Sequence, residues 1–237
     1  MEKELGEYIQ LASHELKGPL RKVRTFAELL SSRTAKNLDQ ESVGYIERMM
    51  NNLELMQSLL DALTEYAMFD IGNIDKRCDL NSILEEAKNY FNTMPDDKKP
   101  EYDKVDLPQI QGNESALKKV FISLLDNSIK FQSTEHPLKI KITCEEVRQE
   151  EKLKNILHSK TKYSKIVFAD NGIGLPQEDC ELIFKPFARL NGKSAYKGNG
   201  LGLALCKKIV EAHNGIIYAS PIESGCCITL ILPLSGQ

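Results

Sequence analysis

The run Lys197-Gly198-Asn199-Gly200-Leu201-Gly202-Leu203 spaces three glycines by two, and apolar positions 201, 205 and 209 then recur at helical spacing. Glycines let a backbone approach a ligand closely and take positive φ. The loop therefore discharges into a helix N-terminus, whose unpaired N–H groups and dipole make an anion site best filled by phosphate. An ordinary tight turn fits the same residues. The run is not a P-loop, because no Lys-Ser/Thr pair closes it, and no strand-borne dinucleotide fingerprint fits.

Three further segments suit the same ligand. In a helix predicted over about 114–132, Ser123, Asn127, Lys130 and Phe131 fall at i, i+4, i+7 and i+8 and share one face. The Asn127 amide can ligate Mg²⁺, the Lys130 ammonium can meet phosphate, and the Phe131 ring can pack on a base. The alternative is a plain polar helix edge beside the apolar stripe Leu117, Val120, Phe121, Leu124 and Ser128. Ile166-Val167-Phe168-Ala169 reads as a buried strand delivering Asp170-Asn171-Gly172-Ile173-Gly174. A carboxylate at a strand end can accept a hydrogen bond from an exocyclic amine such as adenine's, and Gly172 and Gly174 let the chain turn beneath the base. A simple turn is the competing reading. Residues 184–199, with Arg189, Lys193 and Lys197, read as a lid over phosphates or as a solvated loop.

A candidate target lies near the N-terminus. In Ser13-His14-Glu15-Leu16-Lys17-Gly18-Pro19-Leu20 a carboxylate stands beside an imidazole, and a proline five residues on removes a helical hydrogen bond and favours a bend. A neutral imidazole is a competent nucleophile near pH 7, and a neighbouring carboxylate can fix its tautomer and take its proton. Adjacent helical residues do not face each other, so Glu15 must reach His14 through the length of its own side chain. Incidental surface placement is the alternative for His14.

These residues require particular elements to hold them. Leu5, Ala12, Pro19 and Phe26 form one heptad row, and Ile9, Leu16, Val23 and Leu30 another, which places His14 at a solvent-facing position. After polar 31–37 a second helix carries Ile46, Leu53, Leu60 and Ala67 alternating with Met49, Met56 and Leu63. The pair reads as an antiparallel hairpin whose stripes need a second copy to cover them, hence a homodimeric four-helix bundle, with cover by the C-terminal domain as the competing reading. Residues 70–73 read as a hinge, dividing a domain of 1–72 from one of 73–237. The latter shows a capped helix near 82–94, β-like pieces near 101–106, and strands at 138–147 and 163–169, with a closing hairpin near 215–220 and 225–233. The class is α+β, a helical hairpin followed by an α/β two-layer sandwich.

Composition narrows the alternatives. The 237 residues carry a net charge of −3, with 41% hydrophobic and 27% charged residues, so there is no basic field for nucleic acid. Six cysteines without C-x-x-C pairing read as reduced core thiols of a cytoplasmic protein. No apolar run reaches the ~18 residues of a membrane span, so this segment is expected to make no membrane contact, though a longer protein could be anchored upstream.

Taken in order, these segments resemble a sensor histidine kinase of two-component signalling. Ser13 to Leu20 is similar to the phosphoacceptor box, and Leu124-Leu125-Asp126-Asn127-Ser128-Ile129-Lys130-Phe131 to the asparagine box. Asp170 to Gly174 resembles the first glycine box, Ile183-Phe184-Lys185-Pro186-Phe187-Ala188-Arg189 the phenylalanine box, and Gly198 to Leu203 the second glycine box. The resemblance implies a Bergerat ATP-binding fold, with ATP and Mg²⁺ as cofactors. Asn127 would hold the metal, Asp170 would read adenine, and Lys130 and Arg189 would meet phosphates. Lys197, Gly198, Gly200, Leu201, Gly202 and Leu203 would cradle the nucleotide. His14, helped by Glu15, would accept the γ-phosphoryl group and pass it to the receiver domain of a response regulator, with a sensor domain upstream. Two positions depart from the family pattern. Ser123 replaces the usual asparagine, where gyrase-type ATPases carry the glutamate that activates water; this argues against a gyrase-like ATPase and leaves open a nucleotide-binding scaffold. Gly18 stands where many members have Thr or Asn, which argues against phosphatase activity. The wording Pro19-Leu20-Arg21-Lys22 resembles phytochrome-like kinases.

Overall fold

The computed structural model describes residues 2–34, 39–92, 94, 99–103, 105–148, 161–190 and 198–234. The chain divides into two units, Met1–Asp70 and Ile71–Gln237.

In the first unit, helix α1 (Glu2–Thr34) and helix α2 (Gln40–Met68) pack against each other. Asp39 caps α2 by accepting the Ser42 N–H at 2.8 Å, which supplies one orphan donor of the first turn with a partner. The pair is antiparallel: Gly6 lies against the Ala67 carbonyl, and the Lys17 ammonium meets the Asp61 carboxylate at 2.6 Å. On α2 the inner row is the predicted one, with Ile46 and Leu53 buried and Leu60 and Ala67 half-buried. On α1 the inner row is Gly6, Ser13 and Ala27, one residue on from a predicted row. Small residues allow close approach there, while the larger Leu16, Val23, Phe26 and Leu30 stay exposed on an adjoining face. Hydropathy alone ranks the bulky face above the small one, which is why the two were not separated by sequence.

The second unit contains strand β1 (Lys76–Asp79), helix α3 (Leu80–Tyr90), strands β2 (Glu101–Tyr102) and β3 (Gln109–Gly112), helix α4 (Glu114–Lys130), strands β4 (Lys139–Glu146) and β5 (Tyr163–Asp170), helix α5 (Gly202–Ala212), and strands β6 (Ile216–Pro221) and β7 (Cys226–Pro233). Five strands form one mixed sheet in the order β2-β4-β5-β7-β6, with β2 parallel to β4 and the other pairs antiparallel; β1 and β3 pair separately. On β4, buried Ile140 and Ile142 alternate with exposed Lys139 and Lys141, the period of a strand with one face covered. The cover is the helix layer. Leu117, Val120, Phe121, Leu124 and Leu125 of α4 are buried, and the Phe121 ring meets Phe168 of β5 edge-on at 5.3 Å. Removing such a ring costs about 3–5 kcal/mol, so this contact fixes where α4 lies along β5. The whole arrangement is a hairpin followed by a two-layer α/β sandwich.

Candidate nucleotide site and phosphoacceptor histidine

In the second unit, the C-terminal half of α4, the turn after β5 and the N-terminus of α5 enclose a cavity of about 310 Å³. That volume lies within the roughly 300–1,000 Å³ of small-molecule sites. Asp170 ends β5 and lines the cavity. Its Oδ1 accepts the N–H of Gly172 at 3.0 Å and of Cys226 at 3.3 Å, and its Oδ2 accepts the Ser128 hydroxyl at 2.9 Å. Three donors from three elements therefore hold this carboxylate in one orientation. Apolar Ile173, Leu175 and Ile228 line the cavity with it, so a flat apolar ring with an amine on its edge would find both of its needs met.

Lys130, Arg189 and Asn127 also line the cavity. The Lys130 ammonium sits 4.8 Å from the centre of the Phe131 ring, a cation–π arrangement. Burial lowers the Lys130 pKa from its ordinary value; Asp126 opposes the shift and the Arg189 guanidinium adds to it. Two cations side by side suit a multiply charged anion. The Asn127 side-chain amide has no hydrogen-bond partner among the described residues, which leaves it open to a ligand or a hard cation.

The glycine run completes the cradle. Gly198 has φ +150, a conformation side chains rarely adopt, and the loop passes close against the Lys130 ammonium there. Gly200 has φ +72, and a side chain on it would press on Phe187 and the Ala188 carbonyl at 2.8 Å. Its carbonyl accepts the Phe187 N–H at 2.9 Å, fastening the phenylalanine segment to the glycine loop. No side chain caps α5 at Leu201, so the N–H groups of Gly202 and Leu203, both lining the cavity, remain available to an anion.

The structure thus brings together Asn127, Lys130, Phe131, Asp170, Gly174, Arg189, Gly198, Gly200, Gly202 and Leu203. Gly172 contributes its N–H to Asp170 and packs against the Phe131 carbonyl, outside the cavity wall. Leu201 is buried and anchors α5 rather than facing the cavity. Ser123 turns toward the start of α5, its hydroxyl 3.9 Å from where a Cβ on Gly202 would stand; burial pushes the Cys206 thiol up to about 12 and Ser123 opposes the shift. Lys197 and Lys193 lie outside the described residues. Ser128 and Cys226 were not expected at the site. Ser128 falls within the apolar stripe by spacing, and the role of the Cys226 backbone depends on the β5–β7 pairing, which no local signal reveals.

In the first unit His14 is exposed, with 83% of its side chain accessible, and its Nδ1 lies 3.7 Å from Glu15 Oε1. Ser13 explains the placement: it is buried, so the next residue, 100° around the helix, turns outward. Pro19 lies within α1, which runs unbroken through it.

The described residues contain no helix long and apolar enough to cross a membrane, and the six cysteines are unpaired. Residues 112–236 match the family described as histidine kinase-, DNA gyrase B-, and HSP90-like ATPase, and residues 4–72 match the His Kinase A (phospho-acceptor) domain. The phytochrome-like protein Cph1 of Synechocystis sp. is 33% identical over 218 residues, which are 91% of this chain and 27% of that protein. The chain therefore spans little more than a quarter of that relative's length. Two solved structures share the fold. Full-length ShkA in complex with AMPPNP is 20% identical, with a TM-score of 0.66 over 98% of this chain and 46% of that one. Histidine kinase ThkA in complex with response regulator protein TrrA is 22% identical, with a TM-score of 0.62 over 98% of this chain and 64% of that one. With a phosphoacceptor hairpin followed by an ATPase-type sandwich, the chain belongs to the sensor histidine kinase family.

Proposed function

We propose that this chain is an ATP-dependent protein-histidine kinase that phosphorylates His14 and passes the phosphoryl group to an aspartate on a response regulator. The observation that carries the reading is the convergence of the Asp170 carboxylate, the Lys130 and Arg189 cations and the uncapped α5 terminus on one cavity. In the first step a bond forms between an imidazole nitrogen of His14 and the γ-phosphorus of ATP. The bond from that phosphorus to the β-bridging oxygen breaks, and ADP leaves. Glu15 faces Nδ1, so Nε2 attacks and the proton on Nδ1 is lost to Glu15.

Phosphoryl transfer needs mainly alignment and charge neutralisation. Asp170 orients the base, Lys130 and Arg189 neutralise phosphate oxygens, and the N–H groups of Gly202 and Leu203 add to this. The Asn127 amide oxygen would hold Mg²⁺ together with the triphosphate, where the ion supplies further charge neutralisation. Ser123 carries no carboxylate that could activate water, which supports transfer to histidine over hydrolysis.

The exposed Leu16, Val23, Phe26 and Leu30 support a homodimer through the helical hairpin. The ThkA–TrrA complex supports a receiver domain as partner. The unpaired thiols suit a cytoplasmic setting. The same reading includes a sensory region upstream, supported by the greater length of the phytochrome-like relative.

The test is labelling of the chain by γ-labelled ATP. The wild-type chain should acquire an acid-labile label, and His14→Gln should abolish it while nucleotide still binds. Label persisting at the wild-type level would overturn His14. Phosphate release without self-labelling would indicate an ATPase, and neither activity a scaffold.

A further inference from the structure

Ser128 continues the buried row of α4 that runs through Leu117, Phe121 and Leu124 and is itself only 7% exposed. Phe121 meets Phe168 on β5, and seven residues along the helix Ser128 meets Asp170, two residues along the strand. The register that packs the core thus delivers a hydroxyl to the carboxylate that lines the cavity. A carboxylate only accepts, so Ser128 donates to Oδ2 at 2.9 Å.

A carboxylate oxygen offers about two acceptor positions. Those of Asp170 Oδ1 are filled by the Gly172 and Cys226 N–H groups, and Ser128 fills one of those on Oδ2. A single acceptor position then remains for a ligand. We infer that Ser128 is a positioning residue that sets purine specificity by leaving Asp170 one acceptor position at the cavity. This rests on the nucleotide reading above. One position suits the lone amine of adenine. The guanine edge presents two adjacent donors, N1–H and the 2-amino group, beside a carbonyl that Asp170 would repel. Without the hydroxyl, Oδ2 regains its second position, one restraint on the carboxylate is gone, and the distinction between the two bases weakens.

The test is calorimetric titration of the full chain with ADP and with GDP. The wild-type chain should prefer ADP. Ser128→Ala should weaken ADP binding about tenfold, the scale of one hydrogen bond to a charged group, and should weaken GDP binding less, so that the ADP-to-GDP preference shrinks. A merely structural role would lower both affinities by the same factor. That result, or wild-type binding of both, would overturn the inference and leave the nucleotide reading standing. Absence of ADP binding by the wild-type chain would overturn both. Ser128→Cys keeps the volume with a much weaker donor, and it carries the same comparison if the alanine chain fails to fold by circular dichroism.

Discussion

His213 accepts the backbone N–H of Asn113 on Nε2 at 2.9 Å, while its Nδ1 is 2.8 Å from the Ile209 carbonyl and donates to it. One ring, 2% exposed, thereby ties the end of α5 to the N-cap of α4, where Asn113 in turn accepts the Ala116 N–H at 3.0 Å. Both cavity-bearing helices are fixed through this residue. It must be neutral to accept at Nε2, and burial lowers its pKa below the ordinary histidine value.

The sign of the pH effect follows. The unfolded chain takes up the proton first as pH falls through the ordinary histidine range, near 6.5, so stability falls there and continues to fall until the folded pKa is reached. Urea unfolding should show the chain losing stability as pH falls below about 6.5. His213→Gln should lose that part of the slope, at a cost of roughly 1–3 kcal/mol at pH 7 if the Asn113 N–H is left unpaired. An identical slope in the two chains would contradict this role.

Gly200→Ala tests the cradle. At φ +72 an alanine costs about 1 kcal/mol in backbone conformation, and its methyl must displace Phe187 and the Ala188 carbonyl. The expected outcome is a modest drop in melting temperature with a larger loss of ADP affinity, because the loop that presents the α5 terminus shifts. Equal ADP affinity would show that the loop geometry is not needed for binding.

The exposed apolar face of α1 gives a separate outcome. Leu16→Glu together with Phe26→Glu places two charges on residues that are 51% and 66% exposed in the single chain. Sedimentation should report a dimer for the unaltered chain and a monomer for the double variant, with little change in helical content. A double variant that remains dimeric would place the self-association elsewhere.

Local signals made much of this architecture legible. The pairing of β6 with β7 followed from two apolar runs separated by a turn, and α4 from its helical period. The glycine-flanked Asp170 and the Asn127-Lys130-Phe131 face were visible because spacing alone places them. The rest depended on contacts between distant parts of the chain. The parallel pairing of Glu101 and Tyr102 with β4 has no turn to announce it. Ser128 looked like part of an apolar stripe because its partner, Asp170, lies 42 residues away. The inner row of α1 was hidden for the opposite reason: Gly6, Ser13 and Ala27 are small, and pattern reading gives weight to size.

Pro19 has a mechanical consequence for α1. It donates no amide hydrogen, so the Glu15 carbonyl lacks its usual rung, and that gap begins at the residue next to His14. A long helix under torsion yields where its ladder is incomplete. Compliance in α1 is therefore concentrated in the turn just past the imidazole, and strain entering from either end is relieved beside that ring.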